Sequence, residues 1–377
     1  MAQNGRDRYF DLLRTLAMVR VILHHLFMSL TVLPLLFPSL GLMFALGGSL
    51  MAKSMQRGEV RAVRSRLRRL LPAVWVMALI LVPLMLVRPW QDRPAWPLLS
   101  LWVFPVALPP ASDVGQHVGA GVLWYVHVYI WFVLLSPLLV RMYRLWNVPT
   151  VVLSLFCLAL VFPHRAKLGE DNYWLLVNTF MYGACWVLGI AHREGDLARL
   201  PGRHVLGLSA FCIGVPVLWA LTHHVEGQFA LFALPFPYAV YMIGFVLVLL
   251  RWTPPMDWLA RIRPLDGFVS MVNNRAVTIY LWHVAAIAVA VWICEPLGAG
   301  REPVWGAPWP GLSASWPPAL AALGIMLVLL TGAVLGFGWV EDLAARRRPR
   351  ISPFVKRRPS PPAPAPALVP VPAESLT

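Results

Sequence analysis

Apolar residues run in ten stretches along the chain, and the short segments between them carry most of the charge. The stretches are Leu16–Leu36, Leu40–Met55, Leu71–Val87, Val122–Val140, Val151–Phe162, Tyr173–Ile190, Val205–Leu221, Ala230–Leu250, Ala276–Ile293 and Ala319–Val340. A helix needs roughly 20 apolar residues to cross a hydrocarbon core of about 30 Å, and the second and fifth stretches are the shortest, near the lower length limit for a span. The pattern predicts an all-α fold, a polytopic membrane bundle of about ten helices. The first stretch is too long for the apolar core of a cleaved signal and reads as a helix that stays in the membrane.

Composition agrees with this class. Hydrophobic residues make up 59% of the 377 residues, charged ones 13%, and mean hydropathy is +0.66, more apolar than a soluble domain of this size requires. The net charge of +15 would by itself suggest a nucleic-acid partner. The positions of the charges exclude that reading in favour of topology. With the N-terminus inside, the cytoplasmic segments hold Arg8 and Arg14, the run from Arg57 to Arg69, Arg141 and Arg144, Arg193 to Arg203, Arg251 to Arg275, and the tail from Arg346 onward. The outer loops hold only Arg88, Arg93, Arg165, Lys167 and Arg301. Basic short loops are retained in the cytoplasm, so both termini are expected there. The chain then divides into a membrane domain, 1–345, and a basic, Pro/Ala-rich tail, 346–377, expected to be disordered. The outer loops Arg88–Gly121 and Glu295–Pro318 are rich in Pro and Trp, as suits ordered segments at the membrane interface. The preference for Arg over Lys points to a GC-rich bacterial source, hence a bacterial cell membrane.

The four cysteines, Cys157, Cys185, Cys212 and Cys294, are scattered and form no CxxC pair, so neither a disulfide frame nor a metal site is expected. The polar residues inside the spans are more informative. Arg14 and His25 are 11 positions apart, which leaves their side chains about 20° apart on one helix face, with His25 roughly 16 Å further along. An ionisable ring at that depth is costly unless it faces protein or water, which makes it a candidate for function. His24 points about 80° away and reads more readily as a packing residue. Arg20 is expected either to snorkel back to the inner interface or to face the same cavity as the histidines. Asp11, one turn below Arg14, is placed to hold that side chain.

Three further segments carry candidate chemistry. In Arg61–Pro72 the arginines, including Arg66, Arg68 and Arg69, form an array that suits bidentate phosphate binding, although topology alone would also require basic residues here. In Val122–Pro137, Trp124, His127 and Trp131 recur near helical spacing with Tyr125 and Tyr129 between them, either lining a substrate cavity or marking the interface. In Asn273–Ile287, Asn273, Tyr280 and His283 lie on or near one face, either gluing helices together or meeting substrate.

Taken together, the Arg14/His25 spacing, Arg66 and Arg69 before span three, LWYVHVYIW in span four, NNRAVTIYLWH in span nine and the terminal GWVEDLAARR resemble the acyltransferase-3 family of membrane acyltransferases, in the same order from Arg6 to Arg348. The resemblance implies a ten-helix bundle that takes an acyl group, usually acetyl, from acyl-CoA on the cytoplasmic side. The group passes to a hydroxyl of an envelope glycan or of a glycosylated or macrocyclic natural product. It further implies that Arg14 and His25 are an essential pair and that Arg66 and Arg69 belong to the donor side. Two motifs depart from the family. Many members have Ser-Gly-Phe in span two, where this chain has Leu46-Gly47-Gly48-Ser49-Leu50. Many also have a Glu five residues after the span-four Trp, where this chain has Tyr129.

The chemistry is coherent: acyl transfer to a hydroxyl needs a base near neutral pKa, and His25 is placed to act as general base or as transient acyl carrier. The expected partners are acyl-CoA as co-substrate, a sugar-hydroxyl acceptor and the bilayer, with no permanently bound cofactor. A transporter or flippase, with His25, His127 and His283 on a proton path, is the competing reading. The absence of internal repeats and the dense cytoplasmic arginines weigh against it.

Overall fold

In the computed structural model, which describes residues 7–27, 32–87, 90, 93–225, 228–229, 231, 234–298, 300–302, 311–313 and 316–349, a helix overlaps each of the ten expected stretches. In chain order the helices used below are α1 (Arg8–Leu26), α2 (Ser39–Met55), α3 (Glu59–Val87), α4 (Leu123–Trp146), α5 (Val148–Val161), α6 (Glu170–Glu194), α7 (Gly202–Thr222) and α8 (Pro235–Arg251). They are followed by the amphipathic α9 (Arg263–Asn274), then α10 (Ala276–Cys294), α11 (Trp316–Phe337) and the short α12 (Trp339–Ala344). Among the described residues, seven helical segments are long and apolar enough to cross a membrane, and α8 is a shorter apolar one. The two expected spans outside that set are α1, which carries four charged side chains and two histidines, and α2, which is 17 residues long. The only strands among the described residues are two short antiparallel ladders in loops, His224–Val225 with Gln228–Phe229 and Gly300–Glu302 with Gly311–Ser313.

Several boundaries differ from expectation for physical reasons. The first helix runs from Arg8 to Leu26 instead of Leu16 to Leu36, because Asp7 caps it by accepting from the Phe10 amide, and its charges find partners in the protein. Pro34 and Pro38 bar one continuous helix across the second half of that stretch; only the short helix Val32–Leu36 follows, where Pro34 sits in the first turn and costs no hydrogen bond. Helix α3 begins twelve residues before Leu71, at Glu59, so the arginine segment is helical and not a loop. Arginine is a good helix former, and Glu59 in the first turn suits the helix dipole. Trp102, expected at the interface, is buried, its indole N–H donating 3.0 Å to the Pro110 carbonyl. Residues 350–377 of the expected tail lie outside the described residues.

Helices α2 and α6 form the tightest contact of the bundle. A Cβ on Gly48 would strike the Trp186 carbonyl and one on Gly189 the Ala45 carbonyl, so only glycine lets the two backbones meet. Ser49 ties the same seam through a 3.0 Å contact with His192 Nδ1. The departure from Ser-Gly-Phe thus serves packing here. Against this seam Phe44, Tyr125, Phe132, Tyr182 and Trp186 make a continuous aromatic core with centroids 4.7–5.2 Å apart. Large apolar side chains such as Leu79, Phe211 and Val328 stay exposed, as expected of a surface that faces lipid.

Candidate active site

Helix α1 carries His25 and α10 carries His283 into the middle of the bundle, where the two rings stack 4.9 Å apart and 17° from parallel. His25 Nδ1 lies 2.6 Å from His283 Nε2. The protons on this pair follow from one further contact. His283 Nδ1 is 2.5 Å from the main-chain oxygen of Tyr280, one turn earlier on α10. A carbonyl only accepts, so His283 Nδ1 carries the proton. In the neutral ring Nε2 is then the acceptor, and His25 Nδ1 must donate to it. His25 is therefore held in the tautomer whose basic nitrogen is Nε2. Tyr280 is itself anchored, its hydroxyl donating 2.9 Å to the Val122 carbonyl at the start of α4. His24 sits beside the pair at 6.0 Å between rings, and its buried Nδ1 has no partner among the described residues.

One end of the pair leads back to the arginines. Arg14, half-buried, lies within electrostatic range of Arg66, Tyr129, Asp11 and Tyr125. Arg69 lies within range of Arg66, Arg347, Arg68 and Tyr129. Among the described residues, no carboxylate is within ion-pair distance of Arg14, Arg66 or Arg69, and the one side-chain bond of Arg66 goes to Ser54 Oγ at 3.4 Å. Guanidinium groups gathered with Asp11 as the one carboxylate in electrostatic range among the described residues, and with no direct ion pair, suit an anion. From there an aromatic track continues inward: Tyr129 to Tyr125 at 6.2 Å, Tyr125 to Tyr280 at 5.0 Å, and Tyr280 to His283 at 5.5 Å. Successive rings thus connect the arginine cluster to the histidine pair.

Other candidates from the sequence go elsewhere. The Asp11 carboxylate accepts from Arg8 at 3.1 Å, and Arg8 also pairs with Asp266, which docks α9 onto α1. Asn273 adds to that joint, donating to the Asp11 carbonyl at 2.8 Å and to Thr15 Oγ1 at 3.0 Å. Arg68 donates 3.2 Å to the Ala344 carbonyl and fastens the C-terminal segment to α3. His127 is two positions from both Tyr125 and Tyr129, about 200° around α4. Its Nε2 meets the Val106 carbonyl at 2.8 Å, where the Trp131 indole also donates at 3.0 Å, so this polar stripe pins the loop between α3 and α4. Trp124 packs on Tyr182 at 6.0 Å. Arg20 does not snorkel to the inner interface: its Nε donates 3.2 Å to the Leu33 carbonyl, and Tyr238 also bonds it inside the bundle.

Sequence reasoning passed over Glu341 and Asp342. Glu341 Oε1 accepts from the Thr278 amide at 2.8 Å and from Thr278 Oγ1 at 2.6 Å, capping the first turn of α10 from a different helix. Burial pushes its carboxyl up to about 7, against the opposing pull of those bonds. Asp342 pairs at 2.7 Å with Arg275, which is 2% exposed and also donates to the Gly338 carbonyl. The Glu-Asp pair in GWVED after the last span was the available signal. Its partners, 63 and 67 positions away, are visible only in the fold.

A family model described as an acyltransferase domain, Acyl_transf_3, matches residues 7–338. No curated protein and no solved structure matches the chain. The chain belongs to this acyltransferase family and, with its apolar helices, is a multi-pass membrane acyltransferase.

Proposed function

We propose that this member of the acyltransferase family moves an acyl group, acetyl in the simplest case, from acyl-CoA to a hydroxyl of a glycan or of a glycosylated or macrocyclic natural product. The observation that carries the reading is the Tyr280 carbonyl–His283–His25 chain, which fixes Nε2 as the basic nitrogen of His25. As the acceptor oxygen attacks the thioester carbonyl, His25 Nε2 takes the hydroxyl proton. The tetrahedral intermediate then expels the CoA thiolate, which recovers that proton from His25. The products are the ester and free CoA, and the base is regenerated. His283 shares the positive charge through its hydrogen bond during the step and prevents His25 from rotating away. Water, the competing acceptor, is kept away by the apolar surroundings of the bundle.

The cluster of Arg14, Arg66 and Arg69 suits the phosphates of the donor, and the aromatic track suits its uncharged arm. Family membership does not favour the transporter reading. The test is transfer from radiolabelled acetyl-CoA in membranes containing the protein, against glycans and metabolites extracted from the host. Label in a hydroxyl ester, absent from control membranes, is expected. Absence of any ester with acetyl-CoA and with longer acyl-CoA donors, from correctly inserted protein, would overturn the proposal.

A further inference from the structure

A groove of about 440 Å³ runs along the outer half of α10, between Val284, Ile287, Val291 and Trp292 on one side and the short helix Asp113–Val118 on the other. It lies at the end of the bundle away from the arginines. On α3, Arg69 stands at the basic mouth, while Met85, about 24 Å further along, packs against Gly115 of the groove helix so closely that a Cβ there would collide with the Met85 sulfur. The groove starts at the level of the histidine pair, since Val284 directly follows His283. Its wall and the histidine helix are one unit, because the Tyr280 hydroxyl holds the Val122 carbonyl just beyond the short helix.

Apart from Asp113 and His117 the lining is apolar. His117 Nδ1 lies 2.6 Å from the Asp113 main-chain oxygen, so that nitrogen carries the proton and Nε2 is an acceptor. The Asp113 carboxylate has no cation within ion-pair distance among the described residues. The rim therefore presents hydrogen-bond acceptors, which complement hydroxyl groups and repel phosphates. Trp292, 62% exposed, adds a flat aromatic face of the kind that receives the apolar face of a sugar ring. The volume is that of a small-molecule site.

From this we infer that the groove seats the acceptor, a hydroxyl-bearing molecule with an apolar body of the alkyl- or isoprenoid-glycoside kind. The apolar part lies on Ile287 and Val291, and hydroxyls bond Asp113 and His117. Its meaning for catalysis rests on the acyl-transfer reading; the binding does not, and is tested alone.

The probe is octyl glucoside carrying a diazirine in its alkyl chain, photolysed with the full-length protein in phosphatidylglycerol/phosphatidylethanolamine nanodiscs, with adducts mapped by peptide mass spectrometry. Adducts are expected in 284–292 or 113–118, displaced by excess octyl glucoside. Asp113→Asn, an exposed change, is expected to reduce them about tenfold, and Ile287→Trp, which fills the groove, at least as much. His25→Ala is expected to leave them unchanged, so loss of catalysis and loss of binding are separable. Three results would overturn the inference: no adducts in these segments, equal labelling by a diazirine phospholipid that octyl glucoside cannot displace, or displacement by octylammonium as effective as by the glycoside.

Discussion

The main-chain oxygen of Tyr280 fixes the tautomer of His283, and His283 in turn fixes that of His25. An acceptor at position 283 is therefore what matters more than an imidazole as such. His283→Phe is expected to lower kcat at least about a hundredfold, the scale of a misaligned general base. His283→Gln, whose side-chain oxygen can accept from His25 Nδ1, should recover much of that loss, and initial rates at saturating donor measure both. A second residue-scale prediction concerns Glu341, whose carboxyl moves from 4.5 up to about 7 on folding because burial removes water. The folded state then holds this proton more tightly than the unfolded one. Stability falls as pH rises between those two values, by up to about 1.4 kcal/mol per pH unit, and is flat outside them. Melting temperatures of wild type and Glu341→Gln across that range should differ by this slope. The Arg14/His25 alignment was legible because helical periodicity fixes it locally. The His25–His283 contact was not, because it spans 258 positions of sequence. His127, which looked alike on paper, is satisfied by the Val106 carbonyl of a loop whose path no periodicity reports.

Helices in this bundle are joined by a few polar locks set into apolar faces. At the arginine-rich end the Arg275–Asp342 pair, both partners largely removed from solvent, fastens α12 to the start of α10. Asp342→Ala leaves the Arg275 charge without its carboxylate and is expected to cost about 3–5 kcal/mol, read as a lower melting temperature in nanodiscs. Replacing both residues by apolar ones should cost much less. Existence and order of the ten helices were legible because long apolar runs between basic segments leave few alternatives. Their ends were not, where charge is compensated in three dimensions: α1 starts eight residues earlier than its apolar run because Arg8 meets Asp11 and Asp266. Helix α3 gains just over three turns because its arginines favour helix as much as they favour water.

Over the whole molecule, the arginine cluster and the α10 groove occupy opposite ends, with the histidine pair between them. That polarity follows the charge bias of the loops, and with it the proposed donor and acceptor sites fall at different ends. A membrane-impermeant maleimide applied to intact cells should label Ala95→Cys, in the outer loop, and label Arg57→Cys only after the membrane is opened; both positions are exposed, and three of the four native cysteines are buried. Labelling of Arg57→Cys in intact cells would reverse the assignment of faces. The bundle class and the basic end could be read from composition and charge, whereas the groove could not, since its two walls come from segments more than 160 residues apart and its lining is as apolar as any span.

The measurement that bears most directly on the mechanism is the rate of acyl-ester formation by His25→Ala beside wild type, at matched insertion and saturating acetyl-CoA. A fall of at least about a hundredfold, with acetyl-CoA binding retained at the arginine cluster, is the predicted result. Ester formation at an undiminished rate would contradict the assignment of His25 Nε2 as the base.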